Sequence, residues 1–172
     1  MHALQRPLLS ALAAAVLVAT PSFHPATAAT ATATFTVSLT IQANCTISAN
    51  PLSFGTNGVL ATAVNQQTTL SVTCSNSTPY NVGLDAGSVP GSAVSSRLLA
   101  GTATGNTSTT VGFQLYQDSS HATVWGNTVD TDTVSGTGNG SAQTLNVYGQ
   151  VPAQTTPQPD TYQSTITATI TF

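Results

Sequence analysis

Residues 31–49 alternate apolar and polar side chains without a break. Ala31, Ala33, Phe35, Val37, Leu39, Ile41, Ala43, Cys45, Ile47 and Ala49 fall on one side, and Thr, Ser, Gln and Asn fill the other. Strict period two is the pattern of a strand with one buried face. At about 3.3 Å per residue such a run would extend roughly 60 Å, whereas ordinary strands hold about five or six residues. No single small domain offers a core face that long. The run is therefore expected to be two strands in series. The second is needed for the chain's own core, and the first is free to serve another molecule.

What precedes the run reads as an export leader over residues 1–28. Arg6 supplies one positive charge, an apolar stretch follows to Ala19, and Pro21 is followed by Ala26-Thr27-Ala28, the small-x-small pattern of a cleavage site. The apolar stretch is short for a bilayer span, and no second long apolar run follows, so the exported chain is expected to be soluble rather than anchored. About 144 of the 172 residues remain, enough for one domain with a real core. Charged residues make up 4% of the sequence, against about 25% in ordinary globular proteins. There is no Lys and no Glu, and Arg97 is the one basic residue after the leader. That excludes nucleic-acid or anionic-membrane binding through a basic patch. The abundance of Thr and Ser suits strands and turns, and the recurring alternation of apolar residues argues against disorder. The expected class is all-β.

Cys45 and Cys74 are the two cysteines of an exported chain, which reads as a disulfide. Each lies in an alternating run, so the bond should tie the first core strand to a second. Two cysteines alone do not complete a zinc site.

Further period-two stretches are 68–74 (Leu70, Val72, Cys74), 80–84, 111–115 (Val111, Phe113, Leu115), 142–151 (Leu145, Val147, Val151) and 162–172. A short strand is expected over Leu52-Ser53-Phe54-Gly55. Residues 100–110 read as a Gly/Ser/Thr-rich connection beside the apolar pair Leu98-Leu99, and 131–141 as a long exposed turn. Residues 152–160, with three prolines, read as a stiff surface link. About seven strands divided by turn signals indicate a β-sandwich.

Two features of this layout bear on each other. The last alternating segment runs to Phe172, leaving nothing expected to cover its neighbour, and an unpaired alternating segment lies at the opposite end. An open sandwich edge invites polymerisation unless it is blunted or filled. The N-terminal segment has the pattern to fill that edge in a neighbour, which is donor-strand complementation. Residues 29–43 are expected to be the donor, centred on Phe35, Val37, Leu39 and Ile41, with 44–172 the sandwich. The acceptor groove is expected beside the terminal strand, lined by Ile166, Ala168, Ile170 and Phe172.

The order of motifs resembles the spore coat protein U domain family, which includes the Csu-type subunits of archaic chaperone–usher pili. The resemblance rests on the alternating segment into Cys45, Leu52-Ser53-Phe54-Gly55, Ser71-Val72-Thr73-Cys74, Leu84-Asp85-Ala86-Gly87 and Arg97-Leu98-Leu99. It continues through residues 113–118, Trp125-Gly126, residues 147–154 and Asp160-Thr161-Tyr162. It implies an incomplete immunoglobulin-like sandwich completed by donor-strand exchange. It also implies passage through the periplasm with a chaperone, assembly with identical or related pilin subunits through an outer-membrane usher, and surface fibres used in attachment and biofilm formation. Two departures stand out: Pro159-Asp160 replaces the usual Pro-Gly, and Ser164 stands where the family often has Asp.

Chemistry is sparse. His121 lies in one polar turn with Asp118, Ser119 and Ser120, which reads as solvated surface, because a catalytic triad must converge in a pocket. Asp130-Thr131-Asp132 reads as an exposed loop, lacking the Glu that closes an EF-hand. Trp125 and Tyr116 could stack on a sugar, but a lone Trp in a sandwich is more often core, and Arg97 reads as a surface or ion-paired residue rather than a ligand anchor. No enzyme, cofactor or metal site is expected. The rival expectation is a self-complete secreted sandwich that folds its own N-terminal strand back and serves as a coat component or glycan-binding module.

Overall fold

The structure is a computed structural model and describes residues 25–172. The leader read over residues 1–28 lies outside the described residues up to position 24. The chain divides into a unit ending at Leu39 and a compact unit, Thr40–Phe172. Residues 25–39 of the first unit carry no strand and are exposed. No helix among the described residues is long and apolar enough to cross a membrane.

The compact unit contains nine strands: β1 (Cys45–Ala49), β2 (Val64–Cys74), β3 (Pro79–Leu84), β4 (Arg97–Gly101), β5 (Thr110–Tyr116), β6 (Val134–Thr137), β7 (Ala142–Val151), β8 (Tyr162–Gln163) and β9 (Ala168–Thr171). They form a six-stranded sheet in the order β1-β2-β7-β5-β4-β8 and a three-stranded sheet in the order β6-β3-β9. Every pairing is antiparallel. The alternation fixes the register. In β2, Leu70, Val72 and Cys74 face inward while Ser71 and Thr73 are exposed, and in β7 Val147 and Val151 join them. A one-residue slip would put this whole set into water. Trp125 is core as expected, 1% exposed, with its indole N–H donating to the carbonyl of Val82 at 2.8 Å.

Cys45 and Cys74 are opposite one another in the β1–β2 ladder and are disulfide-bonded. The bond therefore joins neighbouring strands of one sheet at the point where the compact unit's first strand begins.

Of residues 31–49, Cys45–Ala49 lies in a ladder, and just ahead of it Asn44 O accepts from Ser75 N–H at 2.9 Å. Several other expectations are corrected. Residues 52–55, expected as a short strand, lie outside every ladder. Leu52 and Phe54 pack on the core instead, over Gly149, where an added Cβ would approach Leu52 Cδ2 to 2.5 Å and Phe54 Cζ to 3.0 Å. Residues 100–101 of the expected 100–110 connection belong to β4, and residues 134–137 of the expected exposed turn form β6. The last alternating run is not one strand: β8 belongs to the large sheet and β9 to the small one. Between them, residues 165 and 167 bond to the 85–88 loop (Ser88 N–H to Thr165 O, 3.0 Å; Asp85 N–H to Thr167 O, 3.1 Å). Gly87, at φ +95°, permits this approach, since a Cβ there would lie 2.6 Å from Ser164 Oγ.

Candidate functional site: an open groove between the sheets

The core is not closed. A groove of about 1010 Å³ runs between the sheets, floored by Leu70 of β2, Val147 and Val151 of β7, Val111, Phe113 and Leu115 of β5, Leu99 of β4 and Leu84 of β3. Protein interiors pack to about 0.74 density with few voids larger than a water molecule. A cleft of this volume along the main core far exceeds the voids of an ordinary packed interior. Its rims are residues 49–58 on one side and 156–168 on the other. Phe54 on the first rim meets Phe113 of the floor edge-on, with ring centroids 6.3 Å apart.

The second rim presents an open backbone edge. In an antiparallel ladder the residues directly opposite one another alternate between bonded and non-bonded pairs. Thr165 and Thr167 bond towards the 85–88 loop, and the register continues as Thr169 opposite Gly83 and Thr171 opposite Asn81. The peptide groups of Ser164, Ile166, Ala168 and Ile170 therefore point the other way, off the free edge of β9, where the sheet order ends. The same four residues have half-buried side chains. Edge and apolar lining thus come from one parity of one segment. Ser164 Oγ is buried and without a hydrogen-bond partner among the described residues.

One end of the groove is pinned by Asp160. Its carboxylate accepts from Ala103 N–H (3.0 Å), the Asn106 amide (2.6 Å), Thr102 Oγ1 (3.3 Å) and its neighbour Thr161 N–H (2.7 Å). These bonds, Ala103's first and Asn106's second, hold its pKa below the ordinary carboxylate value. The Tyr162 hydroxyl, which accepts from the Asn106 amide at 3.1 Å, donates to the carbonyl of Gln158 at 2.8 Å. The Asp at the departure from Pro-Gly therefore fastens the rim to the 101–106 loop.

Of the sequence-derived groove residues, Ile166 and Ala168 line the cleft. Ile170 packs on the core, and Phe172 is 56% exposed; neither is part of the lining. Leu52, Phe54 and Leu99 were missed, although Leu52-Ser53-Phe54 and Leu98-Leu99 carry an apolar signal. Phe35, Val37, Leu39 and Ile41 are 80–86% exposed, four large apolar side chains on one side of a period-two run. Isolated exposed apolar residues are ordinary; a contiguous row signals a contact surface.

Arg97 is a correction. It is fully buried, donating to the carbonyls of Asp85 (2.8 Å), Val94 (3.2 Å), Leu84 (2.9 Å) and Trp125 (2.7 Å) and to Gln114 Oε1. Burial lowers its pKa to about 10, opposed by Asp85 and Asp132, so it stays charged at neutral pH. The Asp118 carboxylate bonds to Ser120, Ala122 and Thr123 of its own turn, and these bonds hold its pKa well below the ordinary range, Ser120's hydroxyl most of all. Its partners are turn groups and not the imidazole of His121, so the Ser/His/Asp cluster is a structured turn. Asp132 likewise accepts from Thr128 N–H at 2.6 Å. Among the described residues no group of three or more His, Cys, Asp or Glu could hold a metal ion.

This all-β, antiparallel sandwich matches a solved structure from an archaic chaperone–usher pilus. The chain superposes with a TM-score of 0.54 and 26% identity on a chain of the CsuC–CsuE chaperone–tip adhesion subunit pre-assembly complex from the Csu pili of Acinetobacter baumannii. The match covers 77% of this chain, which spans 40% of that neighbour's length. The Spore Coat Protein U domain matches residues 31–169, and the chain belongs to that family. It is 32% identical over 186 residues to Protein U of Myxococcus xanthus, with all of both chains covered.

Proposed function

We propose that this chain is a structural subunit of an extracellular chaperone–usher pilus that polymerises by donor-strand complementation. The observation that carries the reading is the open groove, with its apolar floor and the unpaired peptide groups along β9. The segment around Phe35, Val37, Leu39 and Ile41 of one copy occupies the groove of the next. Its alternating apolar side chains fill the floor, and its backbone extends the β9 edge. Burying four such side chains at about 1.5–3 kcal/mol each is worth on the order of 10 kcal/mol before the costs of association. Donor and acceptor are different surfaces, so the contact is head-to-tail and builds fibres rather than closed dimers. Before assembly a periplasmic chaperone shields the groove, and an outer-membrane usher receives the subunit. The fibres serve attachment and biofilm formation.

The test is a denaturing gel of the exported chain, unheated and boiled, beside Leu39→Asp and a variant lacking residues 29–43. A ladder that collapses on boiling and is absent from both variants is the expected result, with Leu39→Asp still recovered as a folded chaperone complex. Normal fibres from Leu39→Asp would overturn the donor assignment. A stable monomer band for the unaltered chain would support the self-complete coat or glycan-binding module.

A further inference from the structure

We propose that the outer face of the six-stranded sheet, where β4, β5 and β7 meet, is a binding site for a neutral sugar polymer. A depression of about 380 Å³ opens there, bordered by Ser95, Ser96, Tyr116, Val124, Gln150 and Pro152. That volume lies within the roughly 300–1,000 Å³ of small-molecule sites. Tyr116 stands opposite Tyr148 in the β5–β7 register, and Gln114 opposite Gln150. Phe113 and Leu115 of β5 and Val147 and Val151 of β7 point into the groove. Alternation therefore puts Tyr116, Tyr148 and Gln150 on the opposite, solvent-facing side. Both tyrosines are half-exposed and stand outside the core cluster.

A third aromatic ring is held against this pair. His121 meets Tyr116 edge-on, with centroids 5.0 Å apart and planes at 75°. Its backbone is in the left-handed region, φ +57°, a conformation that costs energy in a non-glycine residue. The Asp118 carboxylate fixes it there by accepting the N–H groups of Ser120, Ala122 and Thr123.

The ligand class follows from the groups displayed. Pyranose rings offer C–H faces that pack on aromatic planes, and hydroxyl edges that need neutral donors and acceptors. Tyr116 at the border of the depression supplies one plane, and Tyr148, its cross-strand neighbour outside the lining, supplies a second. Ser95 and Ser96 are exposed at the border, and Gln150 is held by a cross-strand bond from its Nε2 to Asn65 Oδ1 at 2.9 Å, leaving its own carbonyl oxygen to accept. The depression offers no free charge. Arg97 reaches its base, but the guanidinium is committed to carbonyls and Gln114. No free Lys or Arg borders the depression for an anionic polymer to pair with, whereas an uncharged one loses nothing. This site lies on the face away from the groove and stands independently of the polymerisation reading.

Isothermal titration of the chain with laminarin (a neutral β-glucan), dextran (a neutral α-glucan) and alginate (an anionic polymer) tests the proposal. At least one neutral glucan binds and alginate does not. Tyr116→Ala and Tyr148→Ala each weaken that binding about tenfold, while the melting temperature and the unheated-gel ladder stay as in the unaltered chain. Should Tyr116→Ala fold poorly, Tyr116→Leu keeps the bulk and removes the ring, with the same loss expected. Absence of binding to both neutral glucans would overturn the proposal, as would binding of alginate alone. So would neutral-glucan binding that survives loss of either ring.

Discussion

Replacing Arg97 by Met should destabilise the sandwich by about 4 kcal/mol, because buried carbonyls lose the donor that satisfies them. Methionine has a similar reach and no polar group, so the perturbation isolates the guanidinium. Five hydrogen bonds are lost at once. Two of the acceptors keep other partners: Val94 O still receives the Gln114 amide at 2.9 Å, and Gln114 Oε1 still receives Leu115 N–H at 2.9 Å. The carbonyls of Leu84, Asp85 and Trp125 are left in the interior without the donor they had. Each buried unsatisfied acceptor costs about 1–3 kcal/mol, partly offset because a charge no longer has to be desolvated. At about 2–4 °C per kcal/mol for a domain of this size, the melting temperature falls by roughly 10–15 °C. Circular dichroism melting at pH 7 with the disulfide intact is the assay. Arg97→Lys should lie between the two, because a single ammonium cannot reach acceptors arranged around a planar fork. A Met variant melting within about 2 °C of the unaltered chain would refute the argument and return Arg97 to a dispensable role.

Two further outcomes follow from the same structure. Reducing Cys45–Cys74, or replacing both by Ser, should cost roughly 3–4 kcal/mol in the chain-entropy account, since the bond closes a loop with a sequence separation of 29; a matching drop in urea midpoint, with and without reductant, checks this. Asp118 and Asp160 both have folded pKa values depressed below the ordinary carboxylate value of 3.8. Their contribution is fully present above that value and is lost as pH falls through the folded values, because the unfolded state then binds more protons. Urea midpoints should hold from neutral pH to about pH 4 and fall below it, and Asp160→Asn should flatten that acid limb.

The strands that were legible in the sequence are those with one buried face and an uninterrupted polar face, such as 68–74, 111–115 and 142–151. There, side-chain chemistry alone reports the period. Two kinds of strand escaped. The 134–137 segment offers Val134, Ser135, Gly136 and Thr137, and Gly136 is there because a Cβ would collide with the Tyr80 ring; packing against a ring leaves no apolar signature at the glycine itself. The 97–101 strand was hidden because its leading residue is a buried Arg, and burial of a cation is decided by carbonyls brought together from distant segments. The division of 162–172 between two sheets was likewise invisible, since alternation continues unchanged across it while the backbone partners switch. The groove was foreseeable at Ile166 and Ala168, which share the terminal run's inward parity. Its opposite rim at Leu52 and Phe54 depends on the space that Gly149 leaves in another strand.

The placement of the disulfide has a mechanical meaning. In a fibre of the proposed kind, a pull applied through one copy's N-terminal segment arrives at residue 44 and meets Cys45 at the very first residue of β1. There the load passes covalently to Cys74 and into β2, which is laddered over ten residue pairs to β7. The five-pair β1 ladder is thus bypassed and cannot be unzipped from its loaded end. A thin filament built this way would resist flow through a single covalent rivet at the entry of each bead.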